Sequence, residues 1–271
     1  MTNRIRPFLK WAGGKFKLSH WISQHLPLGS RLIEPFVGAG AIFLNSSFDH
    51  YLLSDCNPDL INLYECLQKE GVPFIDFCQS FFTVANNTVK RYYHLRQRFN
   101  CSTDLHEKAA LFLYLNRHCF NGLCRYNNKG HFNVPMGEYT RPYFPYNEMH
   151  AFHEKAQRAI FSCEDFTSIM RKACAEDVIY CDPPYYPLSN SASFTRYHLS
   201  DFTLDKQIVL ADLCTELQQK GMRIIVSNHA IPETRRLYKQ AKKLVFCDVQ
   251  RTISATGHQR ATVKELLALY L

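Results

Sequence analysis

The stretch Val178-Ile179-Tyr180-Cys181-Asp182-Pro183-Pro184-Tyr185 limits what this chain can fold into more than any other part of it. A short apolar run enters an acid, two prolines and an aromatic residue. Proline has no N–H and biases the residue before it away from helix. A buried parallel strand is therefore expected to end at Asp182, after which the chain leaves stiff and extended. In open α/β sheets, ligands bind in the crevice outside the carboxyl ends of the strands, which is where Asp182 and Tyr185 would sit. A carboxylate and the carbonyl of a residue before proline are two acceptors side by side. An exocyclic amino group on a nucleobase offers two N–H donors, and a tyrosine ring nearby can stack on the base for about 1–3 kcal/mol. The same four letters, Asp-Pro-Pro-Tyr, also describe an ordinary strand followed by a Pro-Pro turn, so the rest of the chain has to decide between the two.

A nucleoside-binding pattern lies upstream. Arg31-Leu32-Ile33-Glu34 reads as a strand, Pro35-Phe36-Val37-Gly38-Ala39-Gly40 as a turn, and Ala41-Ile42-Phe43-Leu44-Asn45 as the start of a helix. A glycine-rich strand-to-helix turn lets a ligand approach the backbone near a helix N-terminus. The next strand, Tyr51-Leu52-Leu53-Ser54, ends at Asp55, where an acid can accept bonds from two ribose hydroxyls. A dinucleotide fold would carry Gly-x-Gly-x-x-Gly; the third position here is Phe43, which speaks against a nicotinamide oxidoreductase. Ahead of these, Phe8-Leu9-Lys10-Trp11-Ala12-Gly13-Gly14-Lys15 places a tight Gly-Gly turn beside two cations and an indole.

From Pro58 to about Phe120 the pattern turns helical, with apolar faces over Leu60–Leu67, Val72–Phe82, Val89–Phe99 and Leu105–Leu115. This interrupts the strand–helix alternation and reads as an inserted domain, residues 58–146, in a catalytic domain formed by 1–57 and 147–271. The end of the insert interleaves basic, amide and aromatic residues around Asn127-Asn128-Lys129-Gly130, which reads as a hairpin turn. On such arms arginine can pair with guanine, amides can read adenine, and Leu or Met can meet a thymine methyl. Strands then resume at Ala159–Cys163, which ends in Glu164-Asp165-Phe166, and at Asp177–Tyr180. A polar segment, Leu188–Asp201, is expected as a mobile loop. It is followed by a helix over Leu204–Lys220 stopped by Gly221, a strand over Met222–Asn228, and an antiparallel edge pair, Leu244–Val249 with Val263–Leu271.

Hydrophobic residues make up 46% of the 271, enough for a sizeable core, and no apolar run approaches the ~20 residues that span a bilayer. The start, Met1-Thr2-Asn3-Arg4-Ile5-Arg6, lacks the apolar stretch of a signal peptide, so a cytoplasmic protein is expected. A formal net charge of +8 favours a polyanionic partner. Eleven scattered cysteines without a Cys-x-x-Cys pair read as reduced thiols, and twelve dispersed histidines show no metal-ligand spacing, so no metal is expected.

In order, Lys10-Trp11-Ala12-Gly13-Gly14-Lys15, Glu34-Pro35-Phe36-Val37-Gly38-Ala39-Gly40, Asn121-Gly122-Leu123-Cys124-Arg125-Tyr126-Asn127 and Asp182-Pro183-Pro184-Tyr185 resemble the Dam-type DNA adenine N6-methyltransferases of bacteria and their phages. The likeness runs from Phe8 to Tyr270. It implies a Rossmann-like α/β methyltransferase sheet with an antiparallel edge strand, S-adenosylmethionine as methyl donor, and double-stranded DNA as substrate, usually at GATC, acted on by a monomer. It implies catalytic roles for Asp182, Pro183 and Tyr185, with Asp182 and the Pro183 carbonyl accepting the two N6 protons and Tyr185 stacking on a flipped adenine. Trp11, Lys15, Asp55 and Asp182 match cofactor-contacting positions, and Glu34, Phe36, Gly38, Gly40, Asp165 and Phe166 are candidates with them. Lys10, Phe120, Asn121, Leu123, Arg125, Asn133 and Pro135 match positions that touch or wedge into DNA, and Asn127 joins them. Some members carry tyrosine at position 120; the phenyl ring here can still insert into a base stack but lacks the hydroxyl. A catalytically inactive DNA-binding protein of the same fold is the alternative, and the intact Gly38, Gly40, Asp55 and Asp182 speak against it.

Overall fold

The computed structural model describes residues 4–185, 202–250 and 262–271. The polar segment Leu188–Asp201, expected as a mobile loop, lies outside the described residues. The strands are β1 (Arg31–Glu34), β2 (His50–Ser54), β3 (Ala159–Ser162), β4 (Asp177–Cys181), β5 (Arg223–His229), β6 (Lys243–Gln250) and β7 (Thr262–Tyr270). The helices are α1 (Ser19–Ser23), α2 (Ala41–Asn45), α3 (Pro58–Glu70), α4 (Val72–Gln79), α5 (Val89–Cys101), α6 (Leu105–His118), α7 (Tyr146–Ala156), α8 (Phe166–Met170), α9 (Leu204–Gln219) and α10 (Pro232–Leu237). The fold is mixed α/β, Rossmann-like, with a seven-stranded sheet. The chain divides into two compact units, Met1–Gln24 with Val37–Glu164, and His25–Phe36 with Asp165–Leu271.

The second unit carries the strand order β1-β4-β5-β7-β6. β4 runs parallel to β1, with Ile33 opposite Ile179, and parallel to β5, with Cys181 opposite Val226. All five β4 residues are buried, as a strand covered on both faces requires, and this explains its unbroken apolar run. β7 pairs antiparallel with both β5 and β6, so the expected antiparallel pair is found. At the start of β4, Arg31 makes two bonds to the buried Asp177 carboxylate, at 2.9 and 2.6 Å. β4 stops at Cys181, one residue before Asp182.

In the first unit β2 and β3 are parallel, with Tyr51 opposite Ala159 and Ser54 opposite Ser162. The helices expected between Pro58 and Phe120 are present, and three of them are started by a side-chain cap. Asn57 accepts from the N–H groups of Asp59 and Leu60, with Pro58 in the first turn; Thr88 accepts from Arg91; Asp104 accepts from His106 and Glu107. α6 is buried from Ala109 to Asn116 and again at His118, and packs against α3, α4 and α5, so it is the axis of this unit. Phe8, Phe43, Tyr64, Phe152 and Phe161 form an aromatic cluster, with Phe8 edge-on to Phe152 at 5.1 Å. All eleven cysteines are free thiols.

His118, at the end of α6, is buried. It stacks on Tyr114 at 3.9 Å and donates through Nδ1 to the Tyr114 carbonyl at 2.8 Å. Burial lowers its pKa from 6.5 to about 4 against that opposing bond. A histidine whose folded pKa is depressed stabilises fully above about pH 6.5 and loses that stabilisation as pH falls towards 4. The stability difference between the wild type and His118→Gln should therefore shrink by about 3 kcal/mol between pH 7 and pH 4. Denaturant melts at each pH would read this, and parallel curves for the two proteins would exclude it.

Candidate active site

In the first unit, the turn after β1 returns as Val37-Gly38-Ala39-Gly40. Gly38 and Gly40 have φ of +46° and +71°, in the region that favours glycine. A Cβ on Gly38 would lie 2.9 Å from the indole nitrogen of Trp11, so only glycine lets Trp11 pack down on this turn. The Gly38 N–H donates to Asp55 Oδ2 at 3.1 Å, and the Asn57 N–H donates to Oδ1 at 3.0 Å. Tyr64 donates its hydroxyl to the Gly38 carbonyl at 2.5 Å. Burial pushes the Asp55 carboxyl above the usual carboxylate range, opposed by backbone bonds from Asn57, Gly38 and Cys56. A carboxylate already stripped of much of its water gains most from a ligand that brings hydroxyl donors. Lys15 is buried and donates to the Gly13 carbonyl at 2.6 Å, which closes the Gly13-Gly14 turn beside Trp11.

Several of the DNA-binding candidates in the same unit are tied together by hydrogen bonds. Asn116, buried in α6, accepts the Lys10 N–H at 2.9 Å and donates to the carbonyls of Lys10 at 2.7 Å and Gly122 at 3.3 Å. One amide thus ties the Lys10 segment to the turn Phe120–Gly122. Within that turn Asn121 has φ +54°, uncommon for a residue with a side chain. The Phe120 ring is half-exposed, and its N–H donates to the Pro135 carbonyl at 2.9 Å. Lys10 places its ammonium 3.7 Å from the centre of the Tyr139 ring. Leu123, next along the chain, gives its carbonyl to the Cys119 thiol at 3.3 Å.

The hairpin is shorter than the sequence suggests: single bridges at Cys119–Met136 and Tyr126–Phe132, with no continuous ladder. Side chains supply the missing ties. Arg125 donates from Nε to Asn133 Oδ1 at 2.7 Å, and Asn127 Oδ1 accepts from the N–H groups of Lys129 and His131 at the tip. Arg125 and Asn133 are thus brought together, whereas the Asn127 oxygen is committed to the turn.

In the second unit, Asp182 follows directly on β4. Ser227 of β5 donates to Asp182 Oδ1 at 2.8 Å. Tyr185 donates its hydroxyl to Glu265 of β7 at 2.7 Å, and its ring stands edge-on to His229 at 4.5 Å. Burial, then the charges of Asp182 and Glu265, hold the Tyr185 phenol well above its usual pKa, so it stays neutral. The Pro184 carbonyl accepts from Gln207 of α9 at 2.7 Å, and Gln207 is itself bonded to Tyr238 and Asn228. Pro183 is buried, and no bond to its carbonyl occurs among the described residues. Phe36 stacks on Phe166 at 5.5 Å, with Phe202 edge-on to Phe36 at 5.4 Å. Glu34 is buried at the end of β1. Asp165 is exposed and bonds to the N–H and hydroxyl of Thr167, so its carboxylate caps α8.

Four residues that hold these candidate groups by hydrogen bonds escape sequence reasoning: Asn116, Gln207, Ser227 and Glu265. Asn116 carries a faint signal, an amide on the apolar run of α6. The others come from strands and helices far along the chain, and nothing local marks them.

The chain matches the family described as D12 class N6 adenine-specific DNA methyltransferase over residues 11–253. It is 49% identical over 266 residues to a DNA adenine methylase of Vibrio cholerae, covering 98% of this chain and 96% of that protein. It is 48% identical over 265 residues to the DNA adenine methylase of Escherichia coli K12, covering 98% and 95%. A DNA adenine methylase of Serratia marcescens is 48% identical over 266 residues, covering 98% of each chain. With this likeness along nearly its whole length, the chain belongs to the D12 class of N6 adenine-specific DNA methyltransferases.

Proposed function

We propose that this protein transfers a methyl group from S-adenosylmethionine to N6 of an adenine flipped out of double-stranded DNA, within GATC, as a cytoplasmic monomer. The observation that carries the reading is the Asp182-Pro183-Pro184-Tyr185 segment. Its carboxylate is oriented by Ser227, and its tyrosine ring is fixed by Glu265 and His229. Asp182 accepts one N–H of the adenine amino group and the Pro183 carbonyl accepts the other. That draws the nitrogen towards tetrahedral geometry and exposes its lone pair. The negative charge of Asp182 then faces the positive charge that develops on nitrogen. Tyr185 stacks on the base, and such contacts recover the few kcal/mol that flipping costs.

S-adenosylmethionine supplies an electrophilic methyl group when bound. Residues of the first unit fit this group: Asp55 would take the ribose hydroxyls, with Trp11, Gly38 and Gly40 beside the methionine part; Phe36 and Phe166 of the second unit remain candidates. Alignment of two reactants is the main source of rate, and no covalent protein nucleophile is required. Phe120, Asn121, Leu123, Arg125, Asn133 and Pro135, within a DNA-reading domain of residues 58–146, read or wedge into the target, together with Lys10 from outside that domain. The biological role is the marking of DNA for mismatch repair and replication, or its protection from restriction.

The test is transfer of labelled methyl from S-adenosylmethionine to a GATC duplex, beside duplexes in which each base is changed in turn. Label on N6 of adenine in GATC alone is the expected result. Label at another sequence would keep the chemistry and overturn the specificity. No label on any DNA would overturn the function.

A further inference from the structure

We propose that Ser227 is a positioning residue for methyl transfer: its hydroxyl holds one oxygen of Asp182 and thereby fixes the plane of the carboxylate that meets the adenine amine. The inference rests on the function proposed above and adds to it a residue outside the Asp-Pro-Pro-Tyr motif.

The argument starts from strand register. β4 and β5 are parallel, with Tyr180 opposite Ile225 and Cys181 opposite Val226. The next pair in that register is Asp182 with Ser227, one step past the last residue of β4. Side chains alternate along a strand, so Tyr180, Asp182 and Ser227 project from the same face. Ser227 Oγ lies 2.8 Å from Asp182 Oδ1, 3.0 Å from the Tyr180 hydroxyl and 3.3 Å from the Cys181 carbonyl.

A serine hydroxyl has one hydrogen to give. Tyr180 is buried, and burial together with the nearby Asp182 charge keeps its phenol protonated. The phenol is therefore a standing donor, and Ser227 accepts from it. The hydrogen of Ser227 goes to the acceptor that is both nearer and charged, which is Asp182 rather than the Cys181 carbonyl. The order Tyr180 → Ser227 → Asp182 is fixed by these facts. Ser227 and Tyr180 are both shielded from solvent, so water does not replace the bond. With Oδ1 held, rotation of the carboxylate about its own bond is restrained. A catalytic group has to be held within about 10–20° of its productive geometry to act efficiently.

The experiment compares wild type, Ser227→Ala and the double variant Tyr180→Phe/Ser227→Ala. The readouts are kcat and KM for methyl transfer to a GATC duplex, affinity for S-adenosylhomocysteine, and melting temperature. Ser227→Ala should lower kcat about 10- to 100-fold, the range set by loss of a hydrogen bond to a charged group, with KM for DNA and product-analogue affinity within about twofold. It should also lower the melting temperature, because the buried Tyr180 phenol loses its acceptor. The double variant removes both polar partners, so the melting temperature should recover while kcat stays low. A kcat that recovers together with the melting temperature would make Ser227 merely structural and overturn the inference. A wild-type kcat in Ser227→Ala would also overturn it. Absence of transfer by the wild-type protein would instead defeat the proposed function, and the inference with it.

Discussion

Asp182→Ala should reduce methyl transfer by about a thousandfold, with the protein still folded. The size follows from what the carboxylate does. One preorganised polar group aimed at developing charge is worth about 10²–10³ in rate, and here the same group also places the amine for attack. Folding survives because Asp182 lies beyond the end of β4, where it is half-buried and outside the strand ladder. The Ser227 hydroxyl, left without Asp182, has the Cys181 carbonyl within reach at 3.3 Å. Single-turnover transfer with labelled donor, alongside a thermal melt, separates these effects. Near-normal turnover by Asp182→Ala would remove the carboxylate from the mechanism.

Gly122→Ala should cripple DNA recognition while leaving cofactor binding intact. Gly122 has φ +65°, and a Cβ there would lie 2.3 Å from the Cβ of Lys10. A side chain in the left-handed region costs roughly 1–2 kcal/mol, and the overlap forces the Lys10 segment and the Phe120–Gly122 turn apart. Asn116 holds those two segments with a single amide, so their separation breaks its bonds as well. A total of a few kcal/mol in a chain of this size lowers the melting temperature by about 5–10 °C. Affinity for a GATC duplex should fall more than about tenfold, because Lys10, Phe120 and Asn121 lose their common frame. Fluorescence anisotropy with a labelled duplex measures this. Unchanged DNA affinity in the variant would exclude the turn from the DNA-binding surface.

Much of the architecture is written in local sequence. Asp182-Pro183-Pro184 stops a strand because proline cannot continue the ladder, and the structure ends β4 one residue earlier. Asn57-Pro58, Thr88 and Asp104 start helices because their side chains satisfy the first N–H groups, and they do so in the fold. The glycines at 38 and 40 are where the backbone enters the left-handed region. Other elements were less visible. The segment around Asn127-Asn128-Lys129-Gly130 reads as a hairpin turn, and the turn forms, but its arms are joined by two isolated bridges and by contacts such as Arg125 with Asn133. Asp165, a cofactor candidate beside Phe166, also caps α8, since a carboxylate one residue before a helix can accept from its first N–H groups, and Oδ1 accepts from Thr167.

Local sequence set most of the elements, the candidate residues for the chemistry, and their order along the chain. These depend on backbone stereochemistry, on which side chains carry charge or donors, and on periodicity, all of which act over a few residues. Tertiary structure alone decided how each reactive group is aimed. Ser227 reaches Asp182 across 45 residues, Glu265 reaches Tyr185 across 80, and Asn116 reaches Lys10 across 106. A hydrogen bond needs its partners within about 3 Å and aligned. Only strand register and helix packing bring residues that far apart in sequence to that distance.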